Sequence, residues 1–213
     1  MRTTDPLLSA TRIGRFGKHS IYFPSRKNII QLTCNSVLEA DYCINLEHDE
    51  TVVKYTTCLD PIKVAIADKE YSYTPDFLVD TREEQFYVEV KPDFKNINNR
   101  LKEKLEAAKR LLDQTATPLR FADVLGIRRG FIFLNKKFLY LNSFNVTSDE
   151  YEHCLGTLES LKLPLSLNTL ISAPLNLSQR ALYKAIFENK VSIHLNKQFR
   201  LDTLIYRSQC HMS

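Results

Sequence analysis

Apolar and polar residues alternate along Gln85-Phe86-Tyr87-Val88-Glu89-Val90-Lys91. That period of two predicts a strand with Val88 and Val90 turned to a core and Glu89 and Lys91 together on one face. Tyr71 to Val79 reads as one further strand. Asp80-Thr81-Arg82-Glu83-Glu84 is the polar turn between them, so the two runs predict a hairpin, and Pro92 ends it. Upstream the period changes. Leu38, Tyr42 and Leu46, with Val37, Ala40 and Ile44 beside them, predict a helix entered at Ser36, on which Asp41 and Glu47 read as solvated charges. Downstream, Asn96 to Leu112 is an amphipathic helix with Leu101, Leu105, Ala108 and Leu112 as its buried stripe. Leu119–Val124 and Phe131–Leu134 then supply further strands or short apolar elements, with a turn at Lys136-Lys137, which completes a mixed sheet flanked by helices.

The pattern resets around Asn145-Val146-Thr147-Ser148, which places a domain boundary at 145/146. Beyond it, Ser148 caps a helix running to about Leu161, Ser166 to Ser172 is a short helix, and Ser178 caps a third over Gln179–Asn189. Val191–Leu195 and Phe199–Leu201, separated by Asn196-Lys197, predict a hairpin. Three helices followed by a two-stranded wing is a winged-helix order. Such a fold can lay its last helix in a major groove, here with Arg180 and Lys184 one turn apart, but it serves equally for docking proteins. The near balance of charge in this segment favours docking.

The candidate chemistry sits on the central hairpin. Twelve residues separate Asp76 from Glu89-Val90-Lys91. Two carboxylates and a lysine in that arrangement suit phosphodiester hydrolysis: hard oxygen ligands for magnesium, and a cation to orient water and offset transition-state charge. An ammonium between two acids keeps its proton, so Lys91 is read as orienting rather than as a free base. Alternating Glu and Lys also occurs on solvated strands, and the triplet alone is a weak signal. Glu39 is a third acid with two readings. Ser36-x-x-Glu39 matches a capping box, while its place on a helix ahead of the hairpin suits a residue near the metal.

In these residues the chain resembles the TnsA family, the endonuclease subunits of heteromeric transposases and members of the PD-(D/E)xK nuclease superfamily. The matching text is Phe23-Pro24-Ser25-Arg26-Lys27, Leu38-Glu39, a first strand at Val52-Val53-Lys54-Tyr55, Tyr73-Thr74-Pro75-Asp76-Phe77, and Glu89-Val90-Lys91-Pro92. The resemblance implies a restriction-endonuclease-like α/β fold over residues 1–145, ahead of the small winged-helix-like domain that the element order predicts over 146–213. It implies catalytic Glu39, Asp76, Glu89 and Lys91, with Asp76, Glu89 and Glu39 as ligands of Mg2+, for which Mn2+ substitutes. Some members have glutamine where this chain has Glu89. The implied activity is cutting of the 5′ strands of double-stranded DNA at transposon ends, beside a TnsB-like transposase that cuts the 3′ strands and a TnsC-like AAA+ regulator. The short chain also resembles the variants of CRISPR-associated transposons. A free-standing restriction-like nuclease and a non-catalytic scaffold bridging DNA and transposase are the alternatives that the residues leave open.

Composition permits this reading. The 213 residues suffice for a nuclease core and a small second domain, and the formal net charge of +4 is a mild basic excess. Within a basic N-terminal segment, residues 1–30, Arg15, Arg26 and Lys27 stand among aromatic and hydroxyl residues and are candidate phosphate contacts, with Lys95, Arg180 and Lys184 further along. Five cysteines without paired spacing suit reduced thiols in a bacterial cytoplasm, nucleoid-associated when the complex is assembled. Neither a signal peptide nor a membrane span is legible.

Overall fold

A computed structural model describes residues 12–13, 19–67 and 69–208, and the chain divides into two compact units, 1–127 and 128–213. The first opens with strands β1 (Arg12–Ile13), β2 (His19–Ser25) and β3 (Ile30–Cys34), which form an antiparallel three-stranded sheet. Helix α1 (Val37–His48) follows, then β4 (Val52–Thr56), β5 (Ile62–Ile66), β6 (Lys69–Tyr73), β7 (Phe77–Thr81) and β8 (Gln85–Lys91). Helix α2 (Asn99–Leu112), β9 (Leu119–Asp123) and the short α3 (Val124–Ile127) complete the unit. The central sheet runs β4-β7-β8-β9, with β8 and β9 parallel and the other pairs antiparallel. It is a mixed sheet flanked by helices, the α/β architecture expected.

The segment read as one strand from Tyr71 to Val79 is two strands in two sheets. β6 pairs with β5, β7 pairs with β4 and β8, and Thr74-Pro75-Asp76 lies between them. Pro75 has no N–H to give a ladder, so the chain leaves one sheet there and enters the next. Asp76 still donates its N–H to the Val88 carbonyl at 3.0 Å, which ties it to β8. The β5–β6 hairpin lies against α2, and Val64, Tyr73, Leu105, Ala108 and Leu112 share one apolar cluster. The helical stripe expected on α2 is thereby buried at Leu105, Ala108 and Leu112.

Asp41 and Glu47 are buried, at 3% and 7% exposure, where solvated charges were expected. For Glu47 the reason is visible. Its carboxylate accepts from Ser25 Oγ (2.5 Å), Tyr55 OH (2.7 Å) and the backbone N–H groups of Arg26 (3.2 Å) and Lys27 (3.3 Å). The β2–β3 turn is folded around this anion, so helical spacing alone could not assign its face.

The second unit contains α4 (Gly130–Leu141), α5 (Ser148–Ser160), β10 (Leu165–Ser166), α6 (Leu167–Ser172), α7 (Gln179–Phe187), β11 (Val191–Ser192) and β12 (Leu204–Arg207). Phe131–Leu134 and Lys136-Lys137, expected as a strand or short apolar element and a turn, all lie in α4. Apolar residues occur all round this helix, so neither period stands out. Because Tyr140 packs on Phe144 and Phe187 and Phe138 on Tyr183, α4 joins the second unit, and the division falls after Ile127 rather than at 145/146. Asn145, at φ 58°, marks a turn between α4 and α5. Ser178 caps α7 as expected, Ser166, read as the first residue of the short helix, caps α6, and Thr147, one residue before Ser148, caps α5 in a capping box with Glu150. The expected hairpin pairs differently: β12 lies between β10 and β11, with Val191 opposite Arg207. Phe199 is withdrawn from any ladder because its N–H donates to Asn135 Oδ1 (3.2 Å) and its ring packs on Phe138 and Tyr183. Among the described residues no helix is long and apolar enough to cross a membrane.

Replacing Glu47 with alanine strands several buried donors at once. Leaving a buried donor without its acceptor costs about 1–3 kcal/mol. Urea denaturation of Glu47→Ala is expected to show a loss at the upper end of that range or beyond, and a loss below ~1 kcal/mol would contradict the role given to this carboxylate.

Candidate active site

Three residues expected from spacing meet at the open end of β8. Lys91 Nζ lies 2.6 Å from Glu89 Oε1 and 3.4 Å from Asp76 Oδ2, and it donates to the Val90 carbonyl at 3.0 Å. Strand alternation puts Glu89 and Lys91 on one face, and the break at Pro75 delivers Asp76 beside them. The Val90 N–H donates to Asp76 Oδ2 at 2.7 Å, so the aspartate is fixed against the backbone of the residue between Glu89 and Lys91. The remaining oxygen of Glu89, Oε2, accepts from Tyr73 OH at 2.8 Å.

Charge is unbalanced here. Glu89 is 4% exposed, and burial, then the Asp76 carboxylate, hold its pKa above the ordinary value of 4.5 despite Lys91. A carboxyl that holds its proton more tightly folded than unfolded costs native stability as pH rises from its ordinary value through the folded one. Burial works against the Lys91 ammonium as well, but Asp76 and Glu89 together outweigh it and raise its pKa, so it stays charged at neutral pH. The Tyr73 hydroxyl is pushed up by burial first and by Glu89 next, and remains a donor.

Glu39 comes close but is otherwise engaged. It is 6% exposed, on the first turn of α1, near enough to feel the charges of Asp76 and Lys91. Burial is the main cause of its raised pKa, and its oxygens accept from the Asn35 N–H (2.7 Å) and Ser36 Oγ (2.9 Å). Ser36 Oγ in turn accepts from the Glu39 N–H at 3.1 Å. The carboxylate thus caps the helix one residue earlier than the Ser36 amide of a capping box, while standing next to the site. Among the described residues no three His, Cys, Asp or Glu side chains are gathered as a ready metal cluster.

The donor set nevertheless fits a hard cation. The Lys91 ammonium stands in for one, held by two carboxylate oxygens and one carbonyl oxygen, the ligand type magnesium takes. Asp76, Glu89 and the Val90 carbonyl are the groups that would bind it. Sequence reasoning missed the Val90 carbonyl, which side-chain patterns never display, and Tyr73, which reads as a core aromatic.

The basic residues expected at DNA are placed variously. Arg15 lies outside the described residues. Arg26 and Lys27 form the turn around Glu47. Lys27 Nζ donates to the Asp49 and Val52 carbonyls, and burial lowers its pKa against the nearby acids, so it works as a tether within the fold. Lys95 is exposed, its N–H donating to Asp93 Oδ1 at 2.7 Å. In the second unit Arg180 is exposed and feels the Glu150 carboxylate, and Lys184 Nζ lies 4.2 Å from the Tyr151 ring centroid.

Comparison with curated proteins gives no match. A family described as TnsA-like endonuclease N terminal matches residues 28–122, a stretch that contains Glu39, Tyr73, Asp76, Glu89 and Lys91. That match spans the sheet and the acid–acid–lysine residues, so the first unit of this chain is similar to the N-terminal domain of TnsA-like endonucleases.

Proposed function

We propose that this chain is a metal-dependent DNA endonuclease cutting the 5′ strands at transposon ends, as one subunit of a heteromeric transposase. The observation that carries the reading is the Lys91 ammonium held by Asp76, Glu89 and the Val90 carbonyl, a cation cradle within a TnsA-like endonuclease domain. Magnesium, or manganese in its place, supplies when bound charge withdrawal from the non-bridging phosphate oxygens and a water of lowered pKa. The residues do the remainder. Asp76 and Glu89 hold the cation, and their surplus negative charge in a buried site draws it in. Lys91, kept protonated, orients water and offsets charge on the phosphate rather than taking a proton. Glu39 adds negative potential beside them from the end of α1. The family supports partnership with a TnsB-like transposase that cuts the 3′ strands and a TnsC-like AAA+ regulator.

The second unit is proposed to be a winged-helix-like module that docks a transposition partner. Its order from α5 onward, helix–strand–helix–helix–strand–strand, supports the fold. A helix that reads a major groove needs a free face. α7 buries Ala181, Leu182, Tyr183, Ala185, Ile186 and Phe187 between α4 and α5, and Lys184 lies on Tyr151, whose hydroxyl donates to Glu188 at 2.6 Å. That burial favours docking over reading.

A strand-resolved cleavage assay on transposon-end DNA, with the partner transposase present, tests the first proposal. Asp76→Ala and Lys91→Ala are each expected to lower 5′-strand cutting by about 10²-fold or more, the scale of deleting a charge-stabilising group, while DNA binding persists. Near-normal cutting by either would sink the assigned chemistry. For the second unit, reversing charge at Arg180 and Lys184 is expected to weaken assembly with the transposase and leave DNA affinity unchanged. If DNA affinity falls instead, with salt dependence flattened by about one phosphate contact per residue and assembly intact, the module is a DNA reader.

A further inference from the structure

We infer that Tyr73 is a positioning residue for Glu89, fixing which carboxylate oxygen faces the cation site. This rests on the endonuclease reading of the site above. Tyr73 ends β6, in the two-stranded sheet, whereas Glu89 lies in the central sheet, and the hydroxyl crosses between them to donate to Oε2 at 2.8 Å. The other oxygen, Oε1, is the one at 2.6 Å from Lys91 Nζ. A carboxylate rotates readily about its last bond, and a donor on one oxygen leaves the other aimed at the cation. Three residues after Tyr73, Asp76 accepts from the Val90 N–H. The two ends of Tyr73-Thr74-Pro75-Asp76 therefore pin the side chain of Glu89 and the backbone of Val90, the two β8 groups that address the cation.

The donor itself is rigid. Tyr73 is buried in the apolar cluster of Val64, Leu105, Ala108 and Leu112, and Lys104 Nζ stands 6.0 Å from the ring centroid. The hydroxyl is held by packing around the ring, which is how an outer partner keeps a metal ligand in one orientation. A buried tyrosine also needs an acceptor for its own sake. The two roles separate by experiment, because satisfying a hydroxyl affects stability whereas aiming Glu89 affects cation affinity.

Tyr73→Phe keeps the ring and removes one donor. In calorimetric titration of the full chain with Mn2+ in the absence of DNA, the variant is expected to bind about 10-fold more weakly or worse, the loss typical of removing a ligand's outer partner. Its melting temperature in chelator falls modestly, as the loss of one buried hydrogen bond requires. In the cleavage assay the Mg2+ concentration for half-maximal rate rises, and saturating Mg2+ restores most of the rate. A folded Tyr73→Phe with wild-type Mn2+ affinity, its defect confined to melting temperature, overturns the inference. If the wild type binds Mn2+ and Asp76→Ala abolishes that binding while Tyr73→Phe does not change it, the positioning role fails and the site reading stands. If the wild type takes up no Mn2+, both fail together.

Discussion

Two carboxylates, the half-buried Asp76 and the buried Glu89, face one half-buried ammonium, Lys91, and one negative charge is left over. An uncompensated charge out of water is among the more expensive things a fold can hold. The surrounding architecture is arranged to keep it there. Pro75 breaks the ladder so that Asp76 stands beside β8, the Val90 N–H holds Asp76, and Tyr73 reaches across from a second sheet to hold Glu89. The endonuclease reading accounts for the imbalance, since a doubly charged cation in the place of the ammonium would balance the two carboxylates.

The same unit contains a second buried carboxylate with the opposite design. Glu47 takes two hydroxyls and two backbone N–H groups, so its lone pairs are filled by the protein itself and it joins the β2–β3 turn to α1 and β4. Glu89 takes one hydroxyl and one ammonium, and the ammonium ends a long side chain with rotatable bonds that a cation could displace. Glu39 lies between these cases, near the site but with both oxygens given to the end of its own helix. Donors supplied by the fold mark a structural acid, and displaceable donors mark a working one.

Much of the site was legible because a strand's period of two puts Glu89 and Lys91 on one face with no tertiary information. Spacing to the Glu89-Val90-Lys91 triplet pointed to Asp76, and the helix ahead of the hairpin offered Glu39. What remained hidden was hidden for physical reasons. The Val90 carbonyl belongs to the backbone, and the Tyr73 hydroxyl sits on a side chain whose ring is ordinary core. Pro75 was in plain view as a ladder breaker, yet the apolar alternation on both sides of it gives no sign that the strand changes sheets. Glu47 has the helical spacing of a surface charge until the β2–β3 turn folds onto it. In α4 apolar residues surround the helix, and no period distinguishes Phe131 to Leu134 from a strand. The pairing of β12 with both β10 and β11 depends on Phe199 being captured by Asn135, a contact 64 residues apart.

The central claim is that the place held by the Lys91 ammonium is a cation site. Diffraction from crystals of the chain grown with Mn2+, recorded for anomalous signal, tests it directly. The account predicts an anomalous peak bounded by the Asp76 and Glu89 carboxylates and the Val90 carbonyl, with Lys91 Nζ withdrawn from those oxygens. At saturating Mn2+, no peak there and Lys91 still holding all three contacts would contradict it.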